Sequence, residues 1–371
     1  MFDRLPEYPW EGLKPFAAKA AEHRDGLVDL SVGSPVDPTP KIIQDALNAN
    51  SNAPGYPRTG GTPEFKQAVV DWYARRRGVV GLTPDQVMPT IGSKELISWL
   101  PILLGIGPGD VIVQPTVAYT AYVVGAALAG AEIISEDDPA KWPSNTKLVW
   151  LNSPGNPDGR ILEAHEMKAA VDRGRELGAL VASDECYIEF GWDEWENKLI
   201  PTILDPSVCG DSHEGVLAVY SLSKQSNLAG YRAAFAVGEA SLIKALVNLR
   251  MHSGLNTPAL AQKAMVAALN DDSHVAAQKD VYLARREVLL AAVKEYGFEV
   301  ADSTAGLYLW ATLGEDCWTT VDRMADLGIV VVPGEFYTLG SSEYVRFSIT
   351  ATDSAITEGA KRLREAINLA K

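Results

Sequence analysis

The chain has 371 residues, 47% of them hydrophobic, enough for a large core in one or two domains. It is acidic, with 33 Lys+Arg against 48 Asp+Glu and a formal charge of −15, which argues against the basic face that non-specific nucleic-acid or anionic-membrane binding needs. Three widely spaced cysteines (Cys186, Cys209, Cys317) suggest neither a disulfide framework nor a zinc knuckle and fit a reducing cytoplasm, and five scattered histidines argue against a His-based metal site.

The start, Met1-Phe2-Asp3-Arg4-Leu5-Pro6, lacks the basic-then-apolar layout of a signal peptide. Residues 1–30 carry Tyr8, Pro9, Trp10, Pro15 and Phe16 before a short helical pattern, and read as an arm or edge piece. Leu27 to Val32 reads as a short strand entering the turn-rich segment Gly33-Ser34-Pro35-Val36-Asp37-Pro38. Such density is ordinary for a surface loop, but a glycine directly after a strand also lets a ligand approach the backbone. A second loop, Pro54 to Thr62, leads into a helix over 63–77. Thr62 is its N-cap and Pro63 its first residue, while Arg75-Arg76-Arg77-Gly78 puts basic residues at the negative end of the dipole. That arginine run is read as a helix end, not as a nucleic-acid patch.

From residue 87 a theme repeats: a short apolar strand, a loop, then a helical stretch. The strands are Val87–Ile91, Val111–Gln114, Leu148–Asn152, Leu180–Ser183, Val216–Tyr220 and Ala233–Val237. The most hydrophobic stretch, Leu96 to Val113, is broken by Pro101, Pro108 and three glycines, and cannot supply the ~20 apolar residues of a membrane span. Continuous apolar strands separated by helices predict a mostly parallel α/β sheet covered on both faces, with ligands beyond the strands' carboxyl ends. After Ile91 comes Gly92-Ser93-Lys94-Glu95, a helix start that is either an anion site or simply an N-cap by Ser93. Tyr119 and Tyr122 follow Gln114. Asn152 is followed by Ser153-Pro154-Gly155-Asn156-Pro157, Ser183 by Asp184-Glu185-Cys186-Tyr187, and Tyr220 by Ser221-Leu222-Ser223-Lys224. Five such strand ends in succession point to a shared site.

The C-terminal third changes character. A long helix over Lys279–Tyr296 ends at Gly297, and strand-like pieces follow at Phe298–Val300, Gly306–Trp310, Ile329–Val332 and Tyr344–Ile349 before a last helix, Asp353–Leu369. These predict a smaller α+β domain, with residues 1–30 packed onto it. The expected division is a large α/β domain over 31–265 and a discontinuous small domain of 1–30 plus 266–371.

The stretch from Tyr220 to Arg232 organises the rest. A phosphate-bearing aldehyde cofactor bound through a lysine explains Lys224, the hydroxyls beside it and Arg232. Hydroxyls, an arginine and a helix N-terminus hold a phosphate, an acid keeps a pyridine nitrogen protonated, and an aromatic ring stacks on the pyridine. Taken singly, each residue has an ordinary structural account. Asp184 and Asn156 would cap helices, Tyr119 and Tyr187 would be core, and Arg346 a surface cation. Jointly these accounts are improbable.

With Asn156-Pro157, Asp184-Glu185-Cys186-Tyr187, Ser221-Leu222-Ser223-Lys224 and Gly230-Tyr231-Arg232 in this order, the chain resembles fold-type I aminotransferases of class I/II over nearly its whole length. The resemblance implies the aspartate aminotransferase-like fold and pyridoxal 5′-phosphate, with Lys224 as the Schiff-base lysine and proton carrier. It also implies that Asp184 pairs with the pyridinium, that Asn156 and Tyr187 bond the phenolic oxygen, and that Tyr119 stacks on the ring. Gly92, Ser93 and Lys94 (mainly by backbone), Ser221, Ser223 and Arg232 would hold the phosphate. Tyr56 would reach the phosphate of a neighbouring subunit in a homodimer. Arg346 would grip the substrate carboxylate, with Gly33 and Asn156 beside it. Two departures stand out: Ala234 where glycine is usual, and an extra residue between Pro115 and Tyr119 that leaves Tyr122 as a rival stacking ring.

Segments such as Gly55-Tyr56-Pro57 and Gly92-Ser93-Lys94-Glu95-Leu96 are most similar to bacterial succinyldiaminopimelate aminotransferases of lysine biosynthesis. That likeness implies glutamate as donor, an N-succinyl-2-amino-6-oxopimelate acceptor, and a further cation in the pocket, for which Arg58 is the candidate. The alternatives are an aspartate or broad-specificity aminotransferase, a pyridoxal-phosphate C–S β-lyase on the same contacts, and a ligand-sensing module. The acidic charge argues against the last.

Overall fold

The computed structural model describes Leu5, residues 9–338 and residues 342–369; Tyr8 and, apart from Leu5, the Met1–Pro6 stretch lie outside the described residues. In chain order the strands are β1 (Val28–Asp29), β2 (Val87–Ile91), β3 (Val111–Gln114), β4 (Glu132–Ser135), β5 (Thr146–Asn152), β6 (Leu180–Asp184), β7 (Val216–Ser221) and β8 (Ala233–Gly238). There follow β9 (Glu299–Ala301), β10 (Tyr308–Thr312), β11 (Ile329–Val330), β12 (Val332–Pro333) and β13 (Tyr344–Ser348).

Seven strands form one sheet in the order β2-β8-β7-β6-β5-β3-β4. Neighbours from β7 through β4 run parallel, while β8 is antiparallel to both β2 and β7. The chain passes from Ser221 to Ala233 through two short helical turns, Leu222–Gln225 and Ala229–Tyr231, without the long helix that usually carries a crossover to a parallel neighbour. The sheet's central strands are buried on both faces, which explains their unbroken apolar runs. One apolar cluster holds Val149, Val181, Val216, Tyr220 and Phe235 on one face, and another holds Leu148, Trp150, Leu217 and Ala236 on the other. Strand β4 escaped the sequence reading because it is a half-buried edge strand opened by Glu132.

A four-stranded antiparallel sheet, β12-β13-β10-β9, forms the second layer with the helices Ser273–Tyr296 and Asp353–Leu369. The first helix starts six residues before the expected Lys279. Leu13, Val28 and Leu30 share its core with Phe347, Leu309 and Val321. The strand expected over Leu27–Val32 shrinks to Val28–Asp29, paired with β11. Asp29 explains the early end: its carboxylate accepts from both the Ser31 amide (2.9 Å) and hydroxyl (2.6 Å), competing with a ladder. Likewise the expected strand Ile329–Val332 divides between two sheets at Val331.

Thr62 caps its helix as predicted, its hydroxyl accepting from the Phe65 amide at 3.2 Å. The helix is α only to Trp72 and closes in a wider turn over Tyr73–Arg77 before Gly78. Arg76 and Arg77 both pair with buried Glu189, and Arg75 pairs with Asp272, which accounts for the arginine run as internal pairing. Among the described residues no helix is long and apolar enough to cross a membrane.

Candidate active site

The loops after β2, β6 and β7 meet the second layer around a cavity of about 390 Å³. Its walls include Gly33, Ser93, Lys94, Tyr119, Asn156, Asp184, Tyr187, Ser221, Ser223, Lys224, Arg232 and Arg346. Nearly every residue singled out in the sequence therefore lies on one surface, although those residues span more than 300 positions of the chain.

Strand β7 ends at Ser221, whose hydroxyl accepts from the Ser223 amide at 3.2 Å and caps the short turn Leu222–Gln225. That turn presents Lys224, whose ammonium donates to the Gly33 carbonyl. Ser221 also donates to the Ser223 hydroxyl at 2.8 Å. Arg232, in the left-handed region at φ 53°, reaches back toward the helix Ser93–Leu103. Its carbonyl accepts from the Gly92 amide at 2.9 Å. Gly92, at φ 76°, is the residue before that helix, and a Cβ there would collide with the Arg232 guanidinium. Two expectations are corrected here. Gly92 supplies space and not a free amide, and Ser93 is the first helical residue, not the N-cap, so its side chain faces the cavity. The amides of Ser93 and Lys94 remain at the positive helix end.

Asp184 closes β6. One carboxylate oxygen accepts from the Cys186 amide and the other from the Tyr122 hydroxyl, both at 3.3 Å. Burial pushes its pKa above the usual carboxylate range, and those donors only partly offset it. Tyr122 is fully buried, stacked on Trp150 with centroids 5.0 Å apart, whereas Tyr119 lines the cavity at right angles to it. The structure thus separates the rival rings: Tyr119 faces the cavity and Tyr122 supports Asp184.

Arg346 sits on β13, opposite Trp310, with its Cζ 4.0 Å over the Tyr308 ring and 5.1 Å over Tyr337. One guanidinium nitrogen donates to Asn156 Oδ1 at 2.9 Å and another to the Ser31 carbonyl at 2.7 Å. Its Nε has no acceptor among the described residues, although the side chain is only 3% exposed. Tyrosines surround this buried cation, and no carboxylate pairs with it among the described residues. Asn156 keeps its Nδ2 for another acceptor, and the Tyr187 hydroxyl meets that of Tyr308 at 3.0 Å.

These features fit a phosphopyridine aldehyde. Asp184 is a buried carboxylate with no cationic side chain bonded to it among the described residues, which suits a protonated ring nitrogen. The Ser93 helix start, Ser221, Ser223 and Arg232 form a phosphate-sized set of donors. Tyr308, Tyr337 and Trp10 were not anticipated as site residues. The only signal for Tyr308 was its alternation with Arg346's neighbours on a paired strand, visible once β10 and β13 are in register. Tyr56 is fully exposed and Arg58 also faces solvent; neither lines the cavity of this chain.

Comparison with known proteins agrees with this geometry. The family described as "Aminotransferase class I and II" matches residues 25–363. The chain is 50% identical to the 4-dedimethylamino-4-oxo-anhydrotetracycline transaminase OxyQ of Streptomyces rimosus, over 97% of this chain and 99% of that protein. It is 48% identical to the probable aminotransferase Rv1178 of Mycobacterium tuberculosis, over 97% and 85%. A solved structure of a probable N-succinyldiaminopimelate aminotransferase from Thermus thermophilus superposes with a TM-score of 0.85, at 28% identity, covering 97% of this chain and 100% of that one. The chain belongs to the class I and II aminotransferases, whose cofactor is pyridoxal 5′-phosphate.

Proposed function

We propose that the protein moves an amino group between glutamate/2-oxoglutarate and a keto acid, with N-succinyl-2-amino-6-oxopimelate as the acceptor. The observation that carries the amino-acid part is Arg346, a buried guanidinium with an open N–H at the wall that also holds Lys224. Pyridoxal phosphate, when bound, delocalises the electron pair left on the substrate's Cα. Arg346 holds the α-carboxylate, and Asn156 fixes Arg346 through its Oδ1 while its Nδ2 donates to the cofactor's phenolic oxygen alongside Tyr187. The Lys224 amine, which lines the same cavity, would take the proton from the substrate's Cα and return it during transfer. Asp184 faces the ring nitrogen, Tyr119 stacks on the ring, and Ser93, Lys94, Ser221, Ser223 and Arg232 hold the phosphate. Exposed Tyr56 reaches the second copy of a homodimer, and the site lies between segments 31–265 and 1–30 plus 266–371. The same reading places the enzyme in the cytoplasm and in lysine biosynthesis.

The likeness to the Thermus structure supports the succinylated acceptor. A second reading, a ring ketone with few carboxylates, is favoured by the 50% relative and by the absence of Arg58 from the cavity wall. The test is an absorbance spectrum of the loaded protein, taken before and after adding N-succinyl-diaminopimelate without a keto acid. Bleaching supports the first reading. Bleaching by glutamate alone removes that acceptor and leaves the ring ketone to be assayed by amine formation.

A further inference from the structure

Tyr308 belongs to none of the motifs, yet it touches both ends of the proposed chemistry. Strand β10 is buried throughout, and its pairing with β13 sets Tyr308 diagonal to Arg346 on one face. The guanidinium lies over the phenol ring, 4.0 Å from Cζ to centroid. At the other end of the ring, the hydroxyl is 3.0 Å from that of Tyr187, with the two rings edge to face at 5.7 Å. Gly33 leaves the space this hydroxyl needs, since a Cβ there would overlap it.

Two phenols in contact share one hydrogen bond, and its direction decides what the second proton can do. If Tyr308 donates, the Tyr187 oxygen is occupied as acceptor and the Tyr187 proton is free to point into the cavity. If Tyr187 donates, that proton is lost to the pair. We propose that Tyr308 is a positioning residue: it donates to Tyr187, turns the Tyr187 proton toward the cofactor's phenolic oxygen, and supports Arg346 with its ring. This rests on the roles proposed above for Tyr187 and Arg346.

The surroundings favour that direction. The titratable and charged groups facing the pair are Arg346 from β13, Lys224 from the turn after β7, Cys186 from the loop after β6, Tyr282 from the helix Ser273–Tyr296, Tyr119, and Tyr337. Burial acts on both phenols. Burial raises the Tyr308 phenol, but Arg346, 4.0 Å over its ring, together with Lys224 and the bond to Tyr187 brings it below the ordinary tyrosine value. The phenol with the cation over its ring is the better donor, and a chain of two donors strengthens the last one.

The experiment is a pH titration of the visible absorbance of the pyridoxal-phosphate-loaded protein. A donor to the phenolic oxygen stabilises its ionised form, so losing it raises the midpoint. Tyr308→Phe should raise the midpoint by about half a pH unit, the scale of one weakened hydrogen bond. Tyr187→Phe should raise it further, and adding Tyr308→Phe to that variant should change nothing more. Tyr308→Phe should leave the KM for glutamate unchanged, whereas Tyr308→Leu should raise it by up to about thirtyfold, the scale of a buried cation–π contact. An unmoved midpoint in Tyr308→Phe, or an equal shift with and without Tyr187, overturns the proposal. A wild-type protein with no visible band after loading would instead remove the cofactor roles on which it rests.

Discussion

At the scale of single residues, the site is defined by groups whose burial makes sense only with a partner. Lys224 sits on a capped turn at the end of a fully buried strand, so Lys224→Ala removes an amine without opening the core. Turnover should fall by at least about a thousandfold while the melting temperature stays within a few degrees; undiminished turnover would refute the assignment. Arg346→Lys keeps the charge but loses the planar fork held by Asn156 and Ser31. The KM for glutamate should rise about 10- to 100-fold with a smaller change in kcat, as expected when a bidentate carboxylate contact is lost. Equal KM values would show that the α-carboxylate binds elsewhere.

Glu185, next to Asp184, is a different case. It accepts from the Ile203 amide at 2.8 Å and the Thr202 hydroxyl at 2.7 Å, yet burial raises its pKa to about 7. Its folded-state pKa lies above its unfolded value of about 4.3, so the stability it contributes is complete below that value and is lost as pH rises through about 7. Wild-type unfolding free energy should therefore decline across that window more steeply than that of Glu185→Gln. Parallel curves would show that Glu185 does not titrate there.

At the scale of elements, the proposed phosphate end depends on a helix start that only glycine suits. Gly92→Ala adds a methyl at φ 76° and collides with Arg232. The strain should cost about 1 kcal/mol of stability, and the displaced guanidinium should weaken pyridoxal-phosphate binding about tenfold or more. Equilibrium dialysis would check the second figure; unchanged affinity would mean that Arg232 does not hold the phosphate. The antiparallel strand β8 returns the chain to this point, setting Ala234 opposite Thr90 and bringing Arg232 beside Gly92.

At the scale of the whole molecule, the large sheet was legible because its strands are buried on both faces, and that burial writes unbroken apolar runs into the sequence. The reversed direction of β8 was not legible, since periodicity carries no sign of direction. Strand β4 is not legible because a half-buried edge strand does not carry that pattern. In the site, residues in dense local motifs, such as Asp184 and Lys224, could be read from their neighbours. Tyr308 and Tyr337 could not: they gain meaning only when β10 and β13 pair and Arg346 is folded down between the two layers. The choice between Tyr119 and Tyr122 likewise needed the geometry, because both have the right spacing and only one faces the cavity.

The central claim is that this cavity exchanges an amino group through Lys224 and a bound pyridoxal phosphate. The most direct measurement is a single-turnover spectrum of the loaded protein with glutamate and no keto acid. Loss of the visible band, with one 2-oxoglutarate released per site and the band restored on adding a keto acid, is the predicted result. An unchanged spectrum with every amino acid offered, or release of pyruvate and ammonia from a cysteine-type substrate with no transfer, would contradict it.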